Sequence, residues 1–265
     1  MDNAVLEQVI DICKRAGKAI EDVHHAGFTT DFKDSHGADP VTAADMAADA
    51  ILSKELTALI PGSRYFGEES SEDGETESNF CWIVDPLDGT KEFVRGIPEY
   101  VVSVLLQKEG KDELAVILNP ATGDMVSGTE NGVLLNGSGV TVTSRENLPG
   151  ATALASRTET EAGEWDKFAD LNLVTTGSVA WKCARVAAGL ADLTFTLRPR
   201  HVWDVGAGFA LVRWAGGRIS NKESTSINIL PTHAKVRCFL ASNGILHPAL
   251  LDRLSDVSLG PDRRN

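Results

Sequence analysis

Trp82-Ile83-Val84-Asp85-Pro86-Leu87-Asp88-Gly89-Thr90-Lys91-Glu92-Phe93 begins as a strand and ends in a turn that carries two carboxylates. The apolar run predicts a strand over Cys81–Val84. Pro86 then fixes one φ and removes a backbone donor, while Gly89 permits a positive φ. A strand halted there leaves Asp85 and Asp88 near its carboxyl end. Hard oxygen donors of this kind suit Mg²⁺. Alone, such a turn reads better as an Asx-capped polar corner, so the rest of the chain decides.

Working outward, residues 4–24 repeat apolar side chains at helical spacing and stop at Gly27, and Thr42–Leu59 reads as a second helix with Thr42 as its N-cap. His24 and His25 close the first helix, where their charge suits its negative end; no ligand role is expected of them. The acidic stretch from Glu68 to Glu77 reads as a solvated loop. Beyond the opening turn, strands at Tyr100–Gln107, Leu114–Leu118 and Met125–Gly128 are joined by short Gly- and Asn-bearing turns, and Gly132–Gly137 and Val140–Thr143 continue this antiparallel pattern. From Leu148-Pro149-Gly150 onward, strands (Thr152–Ala155, Leu193–Thr196, near Arg237–Ser242) alternate with helices (near Trp165–Leu171, Ser178–Ala188, Val205–Trp214, Pro248–Leu254). The result is an α+β protein of two lobes, 1–147 and 148–265, with Gly260–Asn265 as a frayed tail.

The chain has 265 residues, 42% hydrophobic and 24% charged, as an ordinary globular protein has. Its net charge of −13 disfavours nucleic-acid polymers and anionic membranes as partners. No stretch approaches the roughly 18 apolar residues of a membrane span, and the start does not read as a signal peptide. Cys13, Cys81, Cys183 and Cys238 lie far apart in apolar segments and form no Cys-x-x-Cys pair, which predicts buried free thiols in a reducing cytoplasm.

Three further acids accompany Asp85 and Asp88. Glu68 follows a short apolar stretch and Asp204 opens a helix rich in small residues; singly, the first reads as a loop charge and the second as an N-cap. Asp45 sits in the first turn of the second helix, where an acid suits the macrodipole. Its functional reading pairs it with Thr90, because a threonine hydroxyl that positions a water needs a carboxylate behind it.

Asp39-Pro40-Val41-Thr42-Ala43-Ala44-Asp45, Gly67-Glu68-Glu69-Ser70, Asp85-Pro86-Leu87-Asp88-Gly89-Thr90 and Trp203-Asp204-Val205-Gly206-Ala207-Gly208 resemble, in order and over nearly the whole chain, the motifs of the inositol monophosphatase superfamily. The resemblance implies a layered α/β/α/β/α sandwich, with an antiparallel sheet in the first lobe and a mixed sheet in the second. It also implies a Mg²⁺-dependent phosphomonoesterase, often lithium-sensitive and often a homodimer, acting on a small-molecule phosphate ester. Carried over by motif, Glu68, Asp85 and the Leu87 carbonyl hold a first Mg²⁺. Asp85, Asp88 and Asp204 hold a second, and a third ion joins near Glu68. Thr90 and Asp45 position a metal-activated water, with Glu68 in the same catalytic set, while the N–H groups of Gly89 and Thr90 cradle the phosphate.

Within that superfamily, Asp88-Gly89-Thr90-Lys91-Glu92-Phe93 resembles the 3'(2'),5'-bisphosphate nucleotidases, and Ala155-Ser156-Arg157 and Pro199 look like that branch. Inositol monophosphatases carry a glutamate seven residues before the Trp-Asp aspartate, where this chain has Leu197. Gly177 and Ser178 match the segment contacting the non-reacting part of the substrate. Arg157, Lys182, Arg198 and Arg200 are candidates to receive a second phosphate, against the plain reading of solvated surface charge. The favoured substrate is 3'-phosphoadenosine 5'-phosphate. Gly96-Ile97-Pro98 keeps inositol-1-phosphate and histidinol phosphate as alternatives, and a non-catalytic phospho-ligand binder is the reading outside this class.

Overall fold

The computed structural model describes residues 3–28, 30–32, 40–69, 78–230 and 235–258. Asp39, the acidic run over 70–77 and the tail over 260–265 lie outside them. In α1 (Asn3–Ala26) the residues Leu6, Val9, Cys13, Ala16 and Ile20 are buried, one stripe of a 3.6-residue period. β1 (Thr30–Phe32) pairs antiparallel with β2 (Pro40–Thr42). In α2 (Ala43–Leu59) Ala44, Ala48, Leu52 and Leu56 recur every fourth residue and pack with α1.

Seven strands then form one sheet in chain order: β3 (Arg64–Gly67), β4 (Phe80–Asp88), β5 (Val101–Lys108), β6 (Lys111–Leu118), β7 (Met125–Thr129), β8 (Gly132–Leu135) and β9 (Ser138–Val140). All neighbours are antiparallel except β3 and β4, which run parallel. The short helix α3 (Thr90–Val94) follows β4.

The second half holds β10 (Thr152–Ala155), α4 (Arg157–Glu161), a 3₁₀ turn at Asp166–Phe168, β11 (Asn172–Thr175), α5 (Val179–Ala187), β12 (Leu193–Thr196) and β13 (Arg200–His201). After these come α6 (Val202–Trp214), β14 (Arg218–Ser220), β15 (Lys235–Val236), β16 (Phe239–Ser242) and α7 (His247–Leu254). Its five-stranded sheet, ordered β11-β10-β12-β16-β14, is mixed.

Strand alternation sets the layers. Trp82 and Val84 point toward α1 and α2, whereas Cys81 and Ile83 point toward α5 and α6. In β10, Leu154 joins that central layer, while Ala153 and Ala155 face Leu250 and Leu254 of α7. Helices, sheet, helices, sheet and helix therefore stack as the expected α/β/α/β/α sandwich. The central core takes side chains from both sides of residue 147, so the halves are joined by shared burial.

Several elements depart from the sequence reading. β4 does not stop at the proline: it continues to Asp88 through a bulge that sets Pro86 and Leu87 opposite Val102. A bulge leaves a residue unpaired, so the missing N–H costs no ladder bond. The helix expected near Trp165–Leu171 is a single 3₁₀ turn, and the strand expected over Val140–Thr143 ends at Val140. α6 starts at Val202, three residues before the expected Val205.

Candidate active site

Parallel pairing of Gly67 with Val84 places Glu68 beside the end of β4, where the bulge presents Asp85. The Leu87 N–H donates to Asp85 Oδ1 at 3.0 Å, so the Asx turn expected of this corner exists and also orients the carboxylate. From the other half, Asp204 occupies the third position of α6, not its N-cap; the N-cap is His201, whose N–H donates to Asp204 Oδ2 at 3.2 Å. Glu68, Asp85 and Asp204 each bring an oxygen to within 4.8 Å of the other two.

Three acids at such separations oppose one another's ionisation. Burial, and then the charges of Glu68, Asp88 and Asp204, push Asp85 well above the usual carboxylate range. Burial, Asp88 and Glu68 do the same to Asp204. An all-oxygen donor set under mutual repulsion fits a hard divalent cation, which would remove the repulsion.

Asp88 stands apart. Its Oδ2 accepts from Ser178 Oγ at 2.6 Å and from the Ala180 N–H at 2.7 Å, at the start of α5. Burial raises its pKa, against lowering by those two bonds and by Lys182 and Arg200. Ser178 caps α5 with φ 54°, a left-handed value that a serine rarely adopts. The sequence match gave Ser178 to the substrate; in the structure its hydroxyl holds Asp88.

Asp45 is buried at the third position of α2, where the Thr42 N–H and hydroxyl both donate to Oδ2, at 2.7 and 2.8 Å. Its other oxygen, Oδ1, lies 3.2 Å from Thr90 Oγ1, which also lies 3.0 Å from the Leu87 carbonyl. The two halves of the expected water-positioning pair are thus in contact. Gly89, at φ 101°, turns the chain between them, and a Cβ there would stand 2.8 Å from the Glu99 carbonyl.

The candidate substrate contacts separate into three groups. Arg157 is bound by Glu99 at 2.6 Å, and the same Glu99 Oε2 accepts from the Gly177 N–H at 2.7 Å. Glu92 fills the space that a Gly177 side chain would take. Arg198 is taken up by Glu164, with Nε donating to both oxygens at 2.9 and 3.1 Å, and none of its bonds reaches the acids. Lys182 and Arg200 remain beside the acidic centre. Lys182 is buried, with its pKa lowered chiefly by burial, and Arg200 donates to the buried Glu159 at 2.8 Å while its Nε has no hydrogen-bond partner among the described residues. Sequence reasoning missed Glu92, Glu99 and Glu159, because an acid in a polar stretch gives no sign of a distant arginine.

Fold and site together are those of a metal-dependent phosphoric monoester hydrolase. The chain belongs to the inositol monophosphatase family, whose model matches residues 1–259. It is 30% identical over 232 residues to the 3'(2'),5'-bisphosphate nucleotidase CysQ of Salmonella typhimurium, covering 86% of this chain and 94% of that one. It is 33% identical over 229 residues to an inositol-1-monophosphatase of Caulobacter vibrioides, covering 82% and 88%. Among solved structures, the extragenic suppressor protein suhB from Bartonella henselae superposes with a TM-score of 0.85 at 28% identity, covering 96% of this chain and 99% of that one.

Proposed function

We propose that this phosphatase uses Mg²⁺ to hydrolyse 3'-phosphoadenosine 5'-phosphate to AMP and phosphate. The observation that carries the substrate class is the pair Lys182 and Arg200, two cations set beside Asp88, with Arg200 Nε buried and unpartnered among the described residues. A second phosphate gives that pair a ligand; an inositol monophosphate has none to offer. Leu197 supports the same reading, since it is buried in the outer core and brings no carboxylate to the substrate's hydroxyls.

In this reading Glu68, Asp85 and the Leu87 carbonyl would hold one ion, Asp85, Asp88 and Asp204 would hold a second, and Glu68 would help to hold a third. When bound, Mg²⁺ supplies the positive charge that acidifies a water and stabilises the departing oxygen. The chain's own residues do the rest. Thr90 Oγ1 accepts from the attacking water while donating its proton to Asp45 Oδ1, which fixes the line of attack. The Gly89 and Thr90 N–H groups bind phosphate oxygens at the start of α3, and Ser178 keeps Asp88 turned toward the centre. The two lobes we propose, 1–147 and 148–265, each supply part of this set.

A second reading has its own support. Glu92 and Glu99 put two carboxylates at the edge of the site, around Arg157, and such an edge suits the ammonium of histidinol phosphate or the hydroxyls of an inositol phosphate. Phosphate release with Mg²⁺ from the bisphosphate nucleotide, inositol-1-phosphate, histidinol phosphate and fructose-1,6-bisphosphate separates the two. The nucleotide is expected to lead, and Arg200→Ala to reduce its kcat/KM by at least tenfold while sparing inositol-1-phosphate. A preference for inositol-1-phosphate, or an Arg200→Ala loss equal for all substrates, refutes the assignment.

A further inference from the structure

We propose that the last turn of α1 is a separate transition-metal site, formed by Glu21, His24 and His25 and suited to Zn²⁺. These residues, at positions i, i+3 and i+4 of one helix, each bring a ligand atom to within 4.8 Å of the other two. Two imidazoles and a carboxylate form the donor set that Zn²⁺ takes in three-ligand sites, with a fourth position left for water. Mg²⁺ dehydrates reluctantly and prefers oxygen, so it does not compete there. The two centres sort ions by ligand chemistry.

Three features prepare the turn for a cation. The Tyr100 hydroxyl donates to Glu21 Oε1 at 2.7 Å, which orients the carboxylate from outside the ligand set. The His24 ring is held between aromatic neighbours, 5.2 Å from Phe93 and 6.2 Å from Phe28 between centroids. The carboxyl end of a 24-residue helix carries partial negative charge at the same place. Sequence alone shows a helix ending in two histidines; the fold adds Tyr100, far along the chain, and the Phe93 contact. Phe93 lies on α3 with Thr90, so an ion at α1 bears on the seat of that helix.

The test uses the full-length chain freed of metal, in an Asp85→Asn background that disables the carboxylate centre. Zn²⁺ is titrated against a competing chelator. The four cysteines are buried and do not compete. One Zn²⁺ equivalent is expected to bind, and His25→Ala, an exposed position, is expected to weaken it by at least tenfold. Tyr100→Phe, which removes only the outer hydrogen bond, is expected to weaken it by about tenfold. Thermal melts without metal confirm that each variant is folded, and Glu21→Gln replaces any that is not. Absence of a bound equivalent, or affinity unchanged by both His25→Ala and Glu21→Gln, overturns the proposal.

Discussion

α6 runs between the seven-stranded sheet and α5, and Gly208→Ala tests how closely that sandwich is fitted. A Cβ at position 208 would lie 2.5 Å from Cys183 Cβ and 3.4 Å from its Sγ. Non-bonded carbons settle at about 3.5–4.0 Å, so α5 and α6 must part by roughly 1 Å. α6 is closely fitted on its sheet side as well, where Leu105 Cδ2 stands 3.1 Å from the place a Cβ on Gly206 would take. Overpacking of this kind costs up to about 3 kcal/mol. Alanine recovers about 1 kcal/mol of helix propensity over glycine, leaving a net loss near 2 kcal/mol. At about 2–4 °C per kcal/mol for a domain of comparable size, Tm falls by roughly 4–8 °C. The displacement also reaches the site: Gly208 lies one turn after Asp204, and Cys183 follows Ser178 and Ala180, which hold Asp88. Half-maximal activity should therefore require more Mg²⁺. Differential scanning calorimetry and a Mg²⁺ titration of phosphate release measure both effects, with Gly206→Ala as the milder control. A Tm equal to or above that of the parent would refute the packing argument.

Asp85→Asn should abolish turnover yet raise the Tm of the metal-free protein at neutral pH. Asp85 is raised in the fold, so its contribution to stability is full below the ordinary aspartate pKa and is lost as pH rises through the folded value. The advantage of the variant should therefore vanish in acid, and melts in chelator at stepped pH would show it; a variant less stable at every pH refutes the repulsion. Ser178→Ala removes both the bond to Asp88 and the cap on the Trp181 N–H at 2.9 Å. It should cost about 1 kcal/mol in denaturant melts and at the same time raise the Mg²⁺ concentration needed for half-maximal activity; a loss of stability with unchanged Mg²⁺ response separates the cap from the site. His247 is held neutral between Ser220 Oγ and Ser242 Oγ, each at 2.8 Å, with its pKa pushed down to about 4 by burial and Arg218. A depressed histidine loses stability as pH falls from its ordinary 6.5 toward about 4, and His247→Asn should flatten that slope in melts over the same window.

Much of the architecture was legible because it rests on short-range period. Ala44, Ala48, Leu52 and Leu56 mark the buried face of α2, and the alternation of Cys81 and Ile83 with Trp82 and Val84 marks a strand covered on both sides. The acids of the centre stood out because each follows or opens a regular element. α4 did not stand out: Arg157-Thr158-Glu159-Thr160-Glu161 has no apolar residue, and it is held by Glu159 reaching Thr196 and Arg200. The bulge at Pro86 was invisible for a related reason, since only the partner strand shows that the extra residue has a place. Roles set by contacts across 90 positions, such as Ser178 with Asp88, leave no trace in local spacing.

That last contact bears on how the site and the fold depend on one another. Asp85 and Asp204 are raised by burial and by neighbouring acids, against lowering by the Leu87 N–H in the first and by Arg200 and the His201 N–H in the second, whereas Asp88 is stabilised as an anion by four groups, Ser178, Ala180, Lys182 and Arg200. All four of those groups come from the second half of the chain, and Asp88 itself ends β4 in the first. Docking of α5 against the sheet therefore both builds the central core and sets the charge and orientation of one acid. Lys182 would be costly to bury without such a partner. Glu159 and Asp88 offset part of that cost, while burial and the nearby Arg200 still hold its pKa down; under the proposed function Lys182 gives a strongly acidic protein a local means of receiving an anion. Net charge describes what this chain repels at a distance; in the proposed function, the seating of Lys182 and Arg200 decides what it can hold at contact.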